Sequence, residues 1–178
     1  MFKNLKTVDV SKTQYIKEGV HKVTVTKIES SQASNPNANT PYIDFHMKAE
    51  DGAIGKARIF GDKEGQTEKA ADYKAKMLKE LLIAGGVTNF DDYIVACKHT
   101  VGKTFHAVFA TREYWNNDSD GNPVIRKVVD YKWPCKENTP FENKWNRVLT
   151  PDELRAYTEA KKMSGVAGAT AAVDDLPF

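Results

Sequence analysis

The sequence predicts a mainly β protein in which helical sequence separates the third strand from the fourth and a further helix lies near the C-terminus. Five segments have the alternation or the β-branched composition that is typical of strands. From Lys63 onward, apolar residues instead recur at helical spacing until Gly85-Gly86. The length of 178 residues fits one compact core with appendages better than two full domains.

The first three strands are separated by two different kinds of connection. Gly19 opens VHKVTVTKI, which alternates nearly regularly and predicts a strand that ends near Glu29. The Ser-, Asn- and Pro-rich stretch from Ser30 to Thr40 is typical of an exposed loop. PYIDFHMKAE then alternates cleanly, and Asp51-Gly52 predicts a hairpin turn into a third strand, AIGKARIFG.

Helical sequence follows the third strand. Tyr73, Met77 and Leu81 fall on one face of a long amphipathic helix, and apolar residues from Phe90 to Cys97 predict a second, short helix. Strands resume with KTFHAVFATREYW and VIRKVVDYKW, and the connecting NNDSDGNP is typical of a hairpin loop.

This order of elements is that of an OB-fold. We therefore predict a five-stranded Greek-key barrel with a long helical insertion between strands 3 and 4 and a C-terminal helix. A parallel α/β sheet is disfavoured because helices do not alternate with strands. We expect the OB-fold domain with its N-terminal arm over residues 1–149, the helix over 150–163 and a disordered tail over 164–178. Thr150-Pro151-Asp152-Glu153 predicts the helix start, since it combines a capping box with a first-turn proline.

Composition and charge exclude several classes of protein. The net charge of +2 is too small to indicate nucleic-acid binding by itself, although residues 1–149 hold 23 basic and 19 acidic side chains against 3 and 5 in residues 150–178. The two cysteines, Cys97 and Cys135, are too few and too far apart for a zinc ribbon, and they favour a reduced, intracellular protein. No stretch has the apolar length of a signal sequence or a membrane span, so we expect a cytoplasmic protein that does not bind membranes.

Sequence patterns typical of enzymes are weak. The segment from Val101 to Thr104 ends like a phosphate-binding loop, but Cys97 occupies the position of the first required glycine. We predict no catalytic residue, no metal and no cofactor. A metal-dependent hydrolase would have to be built from scattered residues without a recurring ligand spacing: His21, Asp44, His46, His99 and His106.

The stronger pattern is a set of basic side chains interleaved with aromatic ones on the predicted strands. Single-stranded nucleic acid requires this mixture, because cations neutralise phosphates while flat rings stack on unpaired bases of any sequence. Tyr131 fits either this role or the core, and at least one of Trp115 and Trp133 is expected to stack at a strand end. The candidate DNA-binding residues are Lys22, Lys48, Lys56, Arg58, Arg112, Tyr114, Trp115, Arg126, Lys127, Tyr131, Lys132 and Trp133.

The end of the chain, Asp174-Asp175-Leu176-Pro177-Phe178, resembles the acidic C-terminal tip of bacterial single-stranded DNA-binding proteins, which ends in Asp residues followed by Ile-Pro-Phe. Residues 15 to 135 are similar to small phage-encoded single-stranded DNA-binding proteins in GVHKVTVTKIE, PYIDFHMKAEDG and GKTFHAVFATREYW. The chain departs from the bacterial pattern in having two Asp residues, Leu in place of Ile, a short linker and helical sequence between strands 3 and 4.

The resemblance implies an OB-fold protein that coats single-stranded DNA during replication and recombination, in the host cytoplasm if it is phage-encoded. It also implies that Asp174, Asp175, Leu176, Pro177 and Phe178 bind partner proteins of replication or recombination. The oligomeric state stays open, from a monomer to a homo-oligomer. Alternatives are an OB-fold protein-interaction or recombination-accessory module and, third, an RNA-binding protein or nuclease.

Overall fold

A computed structural model describes residues 13–31 and 41–164 of the chain. Five strands form one antiparallel sheet: β1 (Gly19–Ser31), β2 (Tyr42–Ala49), β3 (Ile54–Phe60), β4 (Thr104–Asn117) and β5 (Pro123–Cys135). The helices are α1 (Glu68–Ala84), α2 (Tyr93–His99) and α3 (Pro151–Met163), with a 3-10 turn at Asn143–Trp145. This element order confirms the mainly β class that the sequence predicts.

The central strand of the sheet is β1. The strand order is β3-β2-β1-β4-β5, and Val23 of β1 pairs with Ala49 of β2 on one side and Phe105 of β4 on the other. An irregularity between Val25 and Lys27 shifts the β1–β2 register, as a β-bulge does. Within the described ranges no ladder joins the edge strands β3 and β5, so the sheet is open and the predicted Greek-key barrel is not shown.

Strand alternation determines which side chains form the core. Val23, Val25, Phe45 and Met47 point inward from β1 and β2 and are almost completely buried. Burying a side chain of this size contributes about 1.5–3 kcal/mol relative to leaving it exposed. The core continues with buried residues of the helices and of β4 and β5: Leu81, Leu82, Ala96, Cys97, Phe109 and Tyr131.

The helices between β3 and β4 begin at side-chain caps. Thr67 caps α1 by accepting a hydrogen bond from the Ala70 amide, and Asp92 caps the seven-residue α2. Burial raises the pKa of the Cys97 thiol, on α2, to about 11. No helix in residues 13–31 and 41–164 is long and apolar enough to cross a membrane.

The segment before β1 packs against the start of β3. The Ile16 amide donates to the Ile54 carbonyl at 2.9 Å, and the Ile54 amide donates to the Gln14 carbonyl at 2.8 Å. Gly55 allows close packing here, because an added Cβ would lie 2.9 Å from Ile16 Cδ1 and 3.2 Å from Phe109 Cε1. Any larger residue at this point of β3 would force the Ile16 side chain to shift, so glycine suits the close packing.

The chain divides into two compact units. The first comprises Met1–Ala110 with Val129–Glu142, and the second comprises Thr111–Val128 with Asn143–Phe178. In the second unit, the Arg147 amide donates to the Thr111 carbonyl at 2.9 Å and the Glu113 amide donates to the Arg147 carbonyl at 2.8 Å. Helix α3 begins with the capping box that its sequence predicts, since Thr150 and Glu153 each accept the other's backbone N–H.

Candidate nucleic-acid interface

The outward face of β1, β2 and β3, called here the β1–β3 face, collects cations and aromatic rings. Alternation places Tyr42, Asp44, His46 and Lys48 of β2 on one side, opposite the buried Phe45 and Met47. The β2–β3 register then sets the neighbours of these side chains on the same face: Asp44 opposite Arg58, His46 opposite Lys56 and Tyr42 opposite Phe60.

Asp44 is the buried centre of this face. Only 4% of the residue is exposed, and its carboxylate accepts hydrogen bonds from Arg58 Nε and Nη2, each at 2.7 Å, and from Lys56 Nζ at 3.2 Å. Burial alone would raise the pKa of the Asp44 carboxyl, but the hydrogen bonds from Arg58 and Lys56 outweigh it and hold that pKa below its usual value. Asp44 is therefore a carboxylate that orients two of the predicted DNA-binding cations.

Two aromatic rings lie beside Arg58. Its Cζ atom is 3.9 Å from the centroid of the Tyr42 ring, a distance typical of a cation–π contact. Tyr42 and Phe60 meet edge to face, with centroids 6.2 Å apart, and Phe60 stays 47% exposed. The predicted site did not include either ring. The sequence does contain the signal, because Tyr42 falls on the same side of β2 as Lys48, and Phe60 on the same side of β3 as Arg58.

Further ion pairs surround the centre of the face. Lys22 pairs with Glu50 at 2.7 Å. Glu29 accepts hydrogen bonds from Lys27 and from His46 Nε2, and these hold the pKa of Glu29 below its usual value. Lys48 is exposed and takes part in no ion pair among the described residues.

A groove of about 470 Å³ adjoins the aromatic end of the β1–β3 face. Tyr42 and Phe60 belong to both the face and the groove. The other walls come from the ends of β1 and β3 and from α1 and α2, including Ile59, Leu78, Tyr93 and Ile94. Lys74 also lines it, and its ammonium donates to the Gly61 carbonyl at 2.7 Å. The groove is thus apolar, with a cation at its wall.

A second basic and aromatic set lies in the β4–β5 hairpin of the second unit. Arg112 lies over the Tyr114 ring at 5.2 Å, Lys127 pairs with Glu113 at 3.2 Å, and Arg126 is exposed. Strand β4 continues to Asn117, so the connection to β5 is shorter than NNDSDGNP suggests. It is held by the Asp118 carboxylate, which accepts the amides of Asp120 and Asn122, so that the pKa of Asp118 is lowered.

The other three predicted rings of β4 and β5 have different environments. Trp115 is half-buried and its ring lies 6.3 Å from that of Tyr157 on α3, so it packs within the second unit. Trp133, like Lys132, is half-buried on β5 in the first unit. Tyr131 is a core residue: it is 7% exposed and meets Phe109 edge to face at 6.0 Å. Because its ring is covered, the structure favours the core alternative for Tyr131 over DNA stacking.

The C-terminal tip and the residues considered for a metal site are the remaining candidates from the sequence. Asp174, Asp175, Leu176, Pro177 and Phe178 lie outside the described residues, as does most of the predicted loop at 30–40. Among residues 13–31 and 41–164, no group of three or more His, Cys, Asp or Glu side chains is arranged to hold a metal ion. His46, one of the residues considered for a hydrolase, is 2.8 Å from Glu29 instead.

Comparison with models of known protein families finds none that matches this chain. Comparison with curated proteins finds no match either.

Proposed function

We propose that this protein is an OB-like single-stranded DNA-binding protein that binds through the β1–β3 face without strong sequence preference. The observation that carries the proposal is the juxtaposition of Arg58 and Lys56 with the Tyr42 and Phe60 rings on one sheet face. Cations beside accessible rings suit a ligand that has both phosphates and unpaired bases. Duplex DNA lacks the second feature, because its bases are already stacked on each other.

The sheet topology supports the OB-like assignment. A central β1 that carries a bulge and pairs with both β2 and β4 gives the strand order expected of an opened five-stranded Greek-key barrel. In that fold, the face of strands 2 and 3 and the loops between strands 1 and 2 and between strands 4 and 5 bind oligonucleotides. The β1–β3 face is the corresponding surface here.

The proposed biological role is to coat single-stranded DNA exposed during replication or recombination, without catalysis, while the C-terminal tip recruits partner proteins of those processes. The tip supports this role through its chemistry. Carboxylates of Asp174 and Asp175 suit Arg or Lys on a partner, and Leu176, Pro177 and Phe178 offer an apolar surface at the end of the chain. Location in the cytoplasm of a phage-infected host belongs to the same proposal.

A protein-interaction module is the second candidate, and one observation favours it. The groove beside Phe60 has an apolar wall that includes Tyr93 and Ile94, which are 56% and 46% exposed. Exposed apolar surface of this kind is typical of protein contacts. If the ligand is chiefly protein, DNA should have no effect on the chain in the experiment that follows.

The test is a titration of a fluorescently labelled oligothymidylate with the full-length protein, followed by anisotropy at two salt concentrations. We expect tight binding to the single strand, weaker binding to a duplex of the same length, and affinity that falls as salt rises. Equal affinity for both forms, or no binding, would contradict the proposal. Loss of intact oligonucleotide with added divalent metal would favour a nuclease instead.

A matched pair of charge variants locates the site. Lys48→Gln removes an exposed cation from the β1–β3 face, whereas Lys98→Gln removes an exposed one from α2. If Lys48 meets a phosphate, its loss should reduce the salt slope by about 0.7, as expected for one counterion released from a single strand. Lys98→Gln should leave the slope unchanged. Equal effects of the two variants would place the DNA elsewhere.

A further inference from the structure

The carboxylate at the centre of the β1–β3 face presents an electrostatic problem. Asp44 is buried among groups that are proposed to meet DNA phosphates, and a negative charge there opposes a polyanion. A carboxylate whose only effect was charge would therefore weaken binding. Its hydrogen bonds point to a different effect, since three of them come from Arg58 and Lys56.

The two bonds from Arg58 fix the orientation of its guanidinium. Nε and Nη2 each lie 2.7 Å from a different oxygen of Asp44, which is the two-pronged geometry that sets the plane of the group. Cζ lies 3.9 Å from the Tyr42 centroid, so one surface of the guanidinium is against the ring. The side chain remains 36% exposed. One edge of the Arg58 guanidinium contacts Asp44 and one surface contacts Tyr42, so its exposed surface is directed away from the Tyr42 ring.

We propose that Asp44 is a positioning residue, an inference that rests on the proposed function. Asp44 holds the Arg58 guanidinium against Tyr42 so that the exposed surface of the guanidinium stacks on an unpaired base of bound DNA. Arg is suited to this because its delocalised group is planar, whereas the Lys ammonium is a point charge. A base then meets a surface that is already ordered, which avoids the entropy cost of immobilising a long side chain on binding.

Glu29 provides the matched control. It lies directly across the β1–β2 ladder from Asp44 and belongs to the same face. Its partners are Lys27 and His46, not Arg58. Glu29→Gln therefore removes the same charge from the adjacent position and leaves the Asp44–Arg58 pair in place.

The experiment measures the affinity of Asp44→Asn and Glu29→Gln for a labelled oligothymidylate at two salt concentrations, with the active fraction determined by stoichiometric titration. We expect Glu29→Gln to bind more tightly than the wild type at low salt, because a repulsive charge is gone. Asp44→Asn should instead bind about 3- to 10-fold more weakly, the range expected when one long side chain must be ordered on binding. Its salt slope should not fall, since the face has lost no cation.

Tighter binding by Asp44→Asn, like that of Glu29→Gln, would overturn the inference while leaving the proposed function intact. Failure of the wild type to bind the oligonucleotide would overturn both. A loss of active fraction with unchanged affinity would show that Asp44 acts only on folding, and it would also overturn the inference.

Arg58→Lys keeps the test decisive if Asp44→Asn does not fold. This variant retains the charge but loses the planar group, so we expect weaker binding with an unchanged salt slope. Affinity equal to the wild type would overturn the inference. Where both variants fold, Asp44→Asn should cause no further loss in the Arg58→Lys background, because Asp44 then has no guanidinium to position. An equal loss in both backgrounds would contradict a role that acts through Arg58.

Discussion

Replacing Phe60 by alanine tests the aromatic part of the β1–β3 face. Phe60 is 47% exposed and contacts Tyr42 edge to face, so its ring is both accessible and held by a neighbour. A ring that stacks on a base contributes about 1–3 kcal/mol to binding. Since about 1.4 kcal/mol corresponds to a factor of ten, Phe60→Ala should weaken oligothymidylate binding about 5- to 150-fold.

Phe60→Ala should lower the free energy of unfolding by less than about 3 kcal/mol, the upper limit given for its effect on binding. The contact between Phe60 and Tyr42 is worth about 0.5–1.5 kcal/mol beyond the area that it buries. Phe60 is exposed and is not part of the buried core, so its truncation leaves no closed cavity there. We expect the variant to fold and to unfold at moderately lower denaturant concentration.

The assay is anisotropy of a labelled oligothymidylate, with Tyr73→Ala as the control. Tyr73 is also an exposed aromatic, at 64%, but it lies on α1 and does not line the groove beside Phe60. Tyr73→Ala should bind within about twofold of the wild type, which is the scatter expected of a surface change of a few tenths of a kcal/mol. The stacking role of Phe60 is refuted if Phe60→Ala also binds within that margin while the wild type binds the oligonucleotide.

Three further outcomes test the core, the thiols and the tail. Tyr131→Phe should raise the free energy of unfolding by about 1–3 kcal/mol in a denaturant melt, because the buried Tyr131 hydroxyl has no hydrogen-bond partner among the described residues. A clear loss of stability in this variant would contradict the prediction. At pH 8, Cys97 in the folded protein should react with a thiol reagent at least about 100-fold more slowly than an exposed thiol. Because only the thiolate reacts, the reaction rate should rise as the pH approaches the Cys97 pKa of about 11. Rapid labelling without unfolding would show that Cys97 is accessible. Deleting residues 174–178 should abolish capture of replication or recombination proteins from infected-cell extract while oligothymidylate affinity stays equal or rises slightly at low salt; identical captured proteins with and without the tip would exclude the recruitment role.

The alternation of β2 contains most of the information needed to locate the β1–β3 face. It places Asp44 and Lys48 outward and Phe45 inward, as the structure does. Given the Asp51-Gly52 turn, the pairing of Asp44 with Arg58 also follows from counting residues back from the hairpin. What alternation does not give is the burial of Asp44, because a polar outward residue is expected to be solvated unless cross-strand partners cover it.

Helical periodicity is less informative where a helix is short. The spacing of Tyr93, Ile94 and Cys97 suggests one buried face, yet Tyr93 and Ile94 are exposed and Ala96 and Cys97 are buried. Helix α2 makes only about two turns after its Asp92 cap, so packing against the core, not periodicity, selects the buried side. In the longer α1, Leu81 and Leu82 at the C-terminal end are buried while Tyr73 is exposed, so contact with the core again selects the buried residues.

The position of Tyr131 could not be decided from the sequence because its neighbours give no consistent alternation. VVDYKWPC mixes apolar and polar residues on both faces, and the structure leaves Asp130, Lys132 and Trp133 all partly buried. In the structure, burial and the contact with Phe109 of the neighbouring strand identify Tyr131 as core. That contact depends on the pairing of distant segments, which local patterns do not specify.

The charge balance of the β1–β3 face determines what kind of DNA binding it supports. The β1–β3 face carries five cations and three carboxylates, and the carboxylates pair with every cation except Lys48. The cations are Lys22, Lys27, Lys48, Lys56 and Arg58, and the carboxylates are Glu29, Asp44 and Glu50. About two net charges are therefore left to replace counterions, which gives a salt slope of about −1.4 on a single strand, against about −3.5 for five uncompensated cations. If the face binds DNA as proposed, phosphate contacts contribute this little, and a larger share of the affinity is expected from the rings and from the Arg58 guanidinium. Stacking is tolerant of base identity, so a nearly neutral protein with this face is suited to coating single strands of any sequence.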